Sequence, residues 1–495
     1  MRITIVCDVL GEENNGTTLA AMNLIRSLKA KGHTLTILCP DEQKRGVPGY
    51  AVVPTRNLGI FNGYVKSNGV QLAKPDDNII RQAIEGADIV HVMLPFILGR
   101  RAAKLAKQMG IPVSAGFHAM AENFTSHIFL ENCTLANRLT YFAFSRTYKM
   151  VDAIHYPTRF LRDLYEKMYG PTNGYVISNG VNAEFKPRRA EKPAEYQGSY
   201  VIVATGRYSK EKNQAVLIQA VNMSKYRARI QLILAGSGPK EKSLRKLARP
   251  LPIPPRFGFF PHEDMVKLLN YADLYVHSAA MEAEGISCLE AISCGLVPII
   301  SDSPRCATQA YALTDRSKFR FNSPADLAAK IDWWLDHPEE RAAWSRKYAE
   351  NAAGQFDQEK CMYAMERMLL ETAGKAGRRR RSLPIGTRCM TTLPEPTSIP
   401  GHCPTGFSTA TQTPSGALWP ALSTGGWQGP SPSASGKSGA CTGSKTGRCW
   451  RRPPGRAFTS TPTTPSGSWT PFCPASCGER DAAISWWGRT HCPSP

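Results

Sequence analysis

Short apolar runs alternate with helical patterns along most of this chain. Ile3–Cys7 is such a run, and a loop follows at Gly11–Gly16. Leu19, Met22, Ile25 and Leu28 then recur at the spacing of one helix face, which ends at Lys31-Gly32. Thr34–Cys39 predicts a second strand. Ile89–Met93, Val113–Gly116 and Val151–His155 predict further strands, each followed by a helical stretch. Runs apolar throughout, rather than alternating, mark strands buried on both faces. With helical crossovers between them they predict a parallel, doubly wound sheet.

A polar, proline-bearing stretch, Lys186–Ser199, interrupts the alternation and reads as a linker. The pattern restarts at Tyr200–Thr205 and continues through Ile230–Ala235, Phe257–Phe260, Leu274–His277 and Val297–Ser301. Two long helices are expected at Ala325–Asp336 and Glu339–Thr372. The chain thus divides into a first α/β unit (1–185), a linker (186–199), a second α/β unit (200–375) and a tail (376–495). Two such units would turn the carboxyl ends of their strands toward a shared cleft, where ligands bind.

Composition separates the tail from the body. Residues 376–495 hold 17 of the 37 prolines and 7 of the 14 cysteines, with no Val, Tyr or Asn. The tail opens on Arg378–Arg381 and has no apolar period, so it is expected to be disordered. It reads as a basic linker or as an out-of-frame translation of GC-rich DNA. The chain carries a net charge of +21, of which the tail, with 13 Lys and Arg against 3 Asp and Glu, supplies nearly half. The remainder suits a polyanionic ligand, an anionic membrane surface or simply a solvated basic face. Apart from Arg138–Lys149, basic motifs interleaved with aromatics are missing from the body, which argues against nucleic acid. The first apolar run is broken by Asp8, so it reads as a strand rather than a leader. No stretch reaches the roughly 20 apolar residues that span a bilayer. The body cysteines are scattered without CxxC pairs, as in a reduced, cytoplasmic protein without a zinc site.

Candidate chemistry gathers in a few places. In Met281–Ala291, Glu282 would end a strand and point into the cleft, and Glu290 lies one turn into the next helix. Gly285, Ile286 and Ser287 would offer backbone N–H groups and a partial positive charge to a phosphate. Ser287 and Glu290 also have the S-x-x-E spacing of a capping box. Gly206-Arg207-Tyr208-Ser209-Lys210-Glu211-Lys212 puts Arg207 after a strand and Lys212 at a helix start, where two cations can neutralise a departing diphosphate. Lys210 reads as an exposed cation. Gly236 and Gly238 permit close backbone approach, and Asn15-Gly16-Thr17 opens a helix after the first strand as a second phosphate or sugar cradle. His118 follows Val113–Gly116 at a strand end facing the cleft, where it is either catalytic or structural.

Taken together these motifs resemble a known family. Glu282…Glu290 with Leu289-Glu290-Ala291…Cys294-Gly295-Leu296-Val297-Pro298 resembles the E-x7-E motif of family-four retaining glycosyltransferases. Gly206-Arg207…Glu211-Lys212 resembles their G-R-x-x-x-E-K segment, and Asn179-Gly180-Val181 with Phe185 and Pro187 their P-N-G-V-D…F-x-P segment. The resemblance covers nearly all of residues 1–372. It implies a GT-B fold and a retaining hexosyl transfer from a nucleotide-sugar, UDP-glucose or a relative, without a metal or other cofactor. By that likeness Arg207 and Lys212 bind the diphosphate, Glu282 and His118 meet the donor sugar, and Glu290 meets the ribose. Gly16, Gly206, Gly236 and the Gly285–Ser287 backbone complete the donor site. Ala283 and Glu284 stand where the family has Gly and an aromatic, Ser178 stands for Pro and Asn182 for Asp. The first pair bears on donor-sugar preference.

Asn15-Gly16-Thr17 and His118…Glu122…His127 resemble the diacylglycerol glucosyltransferase branch, which assigns Asn15, Glu122 and His127 to a lipid acceptor. Such an enzyme would be cytoplasmic and peripheral on the inner face of the plasma membrane. Arg138–Lys149 mixes Tyr141, Phe142 and Phe144 with cations, as a membrane contact or as ordinary helix packing. The alternatives are transfer to a soluble or polysaccharide acceptor, or a nucleotide-sugar 2-epimerase. The second needs further acid and base carboxylates, for which the sequence offers no clear set.

Overall fold

Both expected sheets form, and in each the strand order reverses once. The computed structural model describes residues 1–8, 16–56, 59, 73–126 and 130–381, with only the backbone of 376–381. The first sheet contains β1 (Arg2–Val6), β2 (Thr34–Cys39), β3 (Tyr50–Val52), β4 (Ile89–Val92), β5 (Val113–Gly116), β6 (Ala153–Tyr156) and β7 (Gly174–Val176). Their order is β3-β2-β1-β4-β5-β6-β7, all parallel. Helices α1 (Gly16–Ala30), α2 (Asp77–Ile84), α3 (Ile97–Gln108), α4 (Ala121–Thr125), α5 (Thr134–Tyr148) and α6 (Arg159–Tyr169) connect them.

The second sheet contains β8 (Tyr200–Thr205), β9 (Ile230–Ala235), β10 (Arg256–Gly258), β11 (Leu274–His277), β12 (Pro298–Ser301) and β13 (Lys318–Phe319). Its order is β10-β9-β8-β11-β12-β13, again parallel. Here the connecting helices are α7 (Gln214–Met223), α8 (Glu241–Leu247), α9 (His262–Tyr271), α10 (Ile286–Ser293) and α11 (Pro324–Asp336). Central strands are buried on both faces, from Val201 to Val203 and from Leu232 to Leu234 for example. That explains their unbroken apolar runs. Ligands of such sheets bind outside the strand ends where the order reverses, here between β1 and β4 and between β8 and β11.

The expected helix Glu339–Thr372 is instead two helices, α12 (Pro338–Gln355) and α13 (Gln358–Arg381). Neither period nor composition marks the break. Tertiary contact makes it: Val181 N donates to Phe356 O at 2.7 Å, and Gln358 N donates to Val181 O at 3.2 Å. Asp357 accepts from Lys360 N and starts the new helix. Beyond the break α13 leaves the second core and packs on α1 with Met362, Met365 and Leu369. It runs to Arg381, into the stretch expected to lack order from residue 376. Residues 382–495 lie outside the described residues, and so does that expectation for them.

The crossing explains the N-G-V motif. Gly180 has φ 78°, and a Cβ there would stand 2.6 Å from the Gln358 Cα. Both the left-handed backbone and the close chain crossing require glycine. Gly180→Ala is therefore expected to cost about 2–4 kcal/mol, read as a fall in urea midpoint. An unchanged midpoint would show that the crossing relaxes.

Among the described residues the cysteines are free thiols. No described helix is long and apolar enough to cross a membrane.

Candidate active site

The two strands flanking the reversal in the second sheet each deliver one half of a charged centre. After β8 the chain turns at Gly206, which has φ 130°. A Cβ on Gly236 would fall 2.1 Å from Gly206 O, so the loops after β8 and β9 touch backbone to backbone. Tyr208 pegs them together: its hydroxyl donates to Leu234 O at 2.6 Å and accepts from Gly258 N at 3.0 Å. This rigid turn sets Arg207, whose carbonyl accepts from Gln214 Nε2 at 2.8 Å. Lys212 comes just before α7, whose cap Asn213 is left-handed.

The segment after β11 is tied to the same turn. Ala280 N donates to Glu211 O at 2.7 Å and Ser278 Oγ to Lys212 O at 3.0 Å. Glu282 is held on its other side, where its N donates to Arg305 O and its O accepts from Ala307 N. These bonds bring the Glu282 carboxylate onto the Lys212 ammonium as an ion pair, with only 15% and 21% of their side chains exposed. Burial alone would push the Glu282 carboxyl up, but Lys212, with His277 beside it, holds it down at about 2. Burial pulls Lys212 down, and Glu282 more than offsets it, leaving Lys212 raised. Both groups are charged at neutral pH.

His277, at the end of β11, was not legible as a site residue. Its Nε2 lies 3.4 Å from Glu282 Oε2 without hydrogen-bond alignment, and its Nδ1 lies 3.3 Å from Tyr275 Oη. Burial lowers its pKa, so it meets Glu282 as a neutral ring. In the sequence it looks like the last residue of an apolar run. The only available signal was that it is a polar residue closing a buried strand.

Gly285 caps α10 with φ 82°, and a Cβ there would meet Thr308 Cγ2 at 2.3 Å. The cap therefore carries no side chain, and the capping box that the Ser287–Glu290 spacing allowed does not form. Ser287 lies inside the helix, with its Oγ 3.4 Å from Tyr275 Oη. Helix geometry leaves the N–H groups of Ile286 and Ser287 without an intrahelical acceptor, a positive pole beside the Glu282 loop. The Glu290 carboxylate makes no hydrogen bond or ion pair among the described residues, and burial pushes it up to about 8.

Glu284 turns away from this centre. Ser178 Oγ donates to Glu284 Oε1 at 2.6 Å and Asn179 N donates to it at 2.9 Å, while Asn179 Nδ2 binds Oε2. The two departures from the family's pattern, Ser178 and Glu284, thus complete each other across the lobes. Burial raises the Glu284 carboxyl to about 7 against these donors. A double-mutant cycle of Ser178→Ala and Glu284→Gln should give a coupling of about 1–3 kcal/mol in thermal or urea unfolding. Additive losses would show that the two are independent.

The first lobe meets this loop directly. Met281 and Ala283 pack into its core, and Thr158 Oγ1 donates to Ala283 O at 3.1 Å. Lys210 is exposed, as expected, and its ammonium pairs with the buried Glu131 of the first lobe. Arg305 adds bonds to Glu131 O at 3.3 Å and Asn132 Oδ1 at 2.9 Å.

His118 stands at the carboxyl end of β5 with its Nε2 unpartnered among the described residues. Burial holds it well below 6.5, and His155 and His91 add to the shift. The His118 and His155 rings meet edge to face at 5.2 Å. His155 donates through Nε2 to Ile177 O at 2.6 Å, and His91 Nδ1 is 2.9 Å from Ser114 Oγ. Neither of these histidines was singled out in the sequence. Among the described residues, no hydrogen bond or ion pair joins His118 to Glu282. Gly16 opens α1 with open space where a Cβ would go, so sterics do not demand glycine there. Glu122 accepts from Tyr141 Oη at 2.7 Å, which engages it in holding α5. Asn15 and His127 lie outside the described residues.

The order of these parts matches known families on both halves. Residues 14–185 match Glycosyltransferase Family 4, and residues 185–351 match Glycosyl transferases group 1. The chain is a family-four glycosyltransferase. This glycosyltransferase is 22% identical over 330 residues to the alpha-monoglucosyldiacylglycerol synthase of Streptococcus pneumoniae, covering 61% of this chain and 72% of that protein. It is 23% identical over 363 residues to the GDP-mannose-dependent alpha-(1-6)-phosphatidylinositol dimannoside mannosyltransferase of Mycobacterium tuberculosis, covering 71% and 92%. Sucrose-phosphate synthase from Thermosynechococcus elongatus shares the fold, with a TM-score of 0.62 at 14% identity over 76% of this chain and 99% of that one.

Proposed function

We propose that this glycosyltransferase moves a hexose, with UDP-glucose as the donor, to a lipid hydroxyl such as that of diacylglycerol, with retention of configuration and at the cytoplasmic face of a membrane. The observation that carries the reading is the buried Lys212–Glu282 pair beside the open amino end of α10, at the reversal point of the second sheet. In this reading Arg207 and Lys212 take up the charge that grows on the nucleoside diphosphate as the sugar–phosphate bond breaks, without a metal or cofactor. The first N–H groups of α10 bind phosphate or sugar oxygens. Glu290, whose carboxylate has no partner among the described residues, receives the ribose hydroxyls. Glu282, ionised and fixed, faces the sugar near its reacting carbon. His118 stays neutral and can hydrogen-bond an uncharged sugar hydroxyl without placing a second positive charge there.

The lipid acceptor is supported by the names of the relatives above, one a glucosyldiacylglycerol synthase and the other a phosphatidylinositol dimannoside mannosyltransferase. The test is incubation with labelled UDP-glucose and vesicles containing diacylglycerol. Labelled glycolipid is expected. Transfer to soluble sugars alone would remove the lipid acceptor, and release of nucleotide from GDP-mannose alone would replace the donor.

A further inference from the structure

The His118 ring folds back over its own strand. Gly116, two residues earlier, closes β5 with a negative φ, so its backbone does not call for glycine. A Cβ there would fall 2.4 Å from His118 Nε2 and 2.5 Å from His118 Cδ2. The next atom in its way, Met93 O, stands at 3.5 Å, an ordinary contact. The obstacle to a side chain at 116 is thus the His118 ring. Residues two apart in extended chain project to the same face, so the bare Gly116 leaves a notch that His118 fills.

Strand pairing supplies the wall of that notch. Gly116 pairs with His155 across β5 and β6, and paired residues of neighbouring strands share a face. The two imidazoles meet at 5.2 Å with 65° between their planes. His155 is held in place, because its Nε2 donates to Ile177 O at 2.6 Å. The opposite face is fixed by Phe117, whose ring packs 5.1 Å from Tyr148 and 5.4 Å from Tyr165. Tyr148 Oη donates to Gly116 O at 3.0 Å, and Phe117 N to His155 O at 2.8 Å. Ile177 leads directly into Ser178 and Asn179, which hold Glu284. The wall behind His118 and the anchor of the Glu282 loop therefore end on one segment of chain. A buried ring nitrogen without a partner among the described residues adds no stability there.

We propose that Gly116 and His155 are positioning residues for the transfer: Gly116 by the space it leaves, and His155 by its anchored ring, hold His118 at the cleft end of β5. The effect on turnover rests on the reading of His118 as a donor-sugar contact; the ring's placement is measured without it. Gly116→Ala should unfold thermally near wild type and lower kcat, read as nucleotide release from UDP-glucose with diacylglycerol vesicles, by about ten- to a hundredfold. Diethyl pyrocarbonate should label His118 faster in that variant, as peptide mass spectrometry reads, because the added methyl pushes the ring toward solvent. In a His118→Ala background, Gly116→Ala should change kcat by less than about twofold, since the methyl then displaces nothing. His155→Leu should lower kcat with the same dependence on background. His155→Gln, which keeps an N–H for Ile177 O, should regain part of that loss. Equal losses from Gly116→Ala in both backgrounds would overturn the assignment and make Gly116 a structural residue of β5, and unchanged labelling of His118 would overturn it too. Faster labelling with wild-type turnover in both Gly116→Ala and His118→Ala would leave the ring's placement standing and remove His118 from the donor site.

Discussion

Lys212→Met is expected to lower turnover about a thousandfold and to cost about 3–5 kcal/mol of stability, because it strands an ionised Glu282 in a buried site. Lys212→Met combined with Glu282→Leu should recover most of that stability and none of the turnover. A charged pair and its separate halves differ in cost. Two buried charges that neutralise each other can be replaced by apolar groups of similar size at little net cost, whereas one alone cannot. Catalysis needs the charges themselves, one to receive the diphosphate and one to face the sugar. Urea unfolding and initial rates on the three variants separate the roles. If the double variant regains turnover along with stability, the pair is only a structural feature of the β11 loop.

Glu290→Gln should raise stability at pH 8 by about 2 kcal/mol while weakening donor binding. Among the described residues the carboxyl has no partner, and burial raises it to about 8 in the fold, well above its ordinary value. A raised carboxyl means that the folded state holds the proton more tightly than the unfolded chain. Its contribution is therefore full at acid pH and fades as pH rises from the ordinary carboxylate range through about 8. Glutamine has no such proton to lose, so wild type and variant should melt together near pH 4 and part company above it. A binding group kept half-buried, without a partner among the described residues, is a common place for stability to be given up for function. Equal melting temperatures at both pH values would mean that the carboxyl is solvated in the fold.

What could be seen in the sequence followed burial. Tyr200–Thr205, Ile230–Ala235 and Leu274–His277 were expected with the bounds they have, since buried parallel strands leave apolar runs cut off by turn residues. β3, β7 and β13 span three residues or fewer and leave no period to read. The helix break at Phe356-Asp357 is imposed by Val181, far away in the chain, so no local signal announces it. At the site, Arg207, Lys212, Glu282 and Glu290 stood out because charged residues beside glycine turns at strand ends are unusual. His277, His91 and His155 did not, because a histidine inside an apolar run looks like any core residue. Ser178 and Glu284 looked like two unrelated departures from a motif. Only their contact shows that a carboxylate has taken over the fixing of the N-G-V turn.

The roles given to Arg207, Lys212, Glu282 and Glu290 all depend on where the donor sits. A crystal structure of the protein with UDP bound tests it most directly. The diphosphate is expected against Arg207, Lys212 and the first N–H groups of α10, with the ribose hydroxyls on Glu290. A nucleotide bound elsewhere, with the Lys212–Glu282 pair untouched, would contradict it.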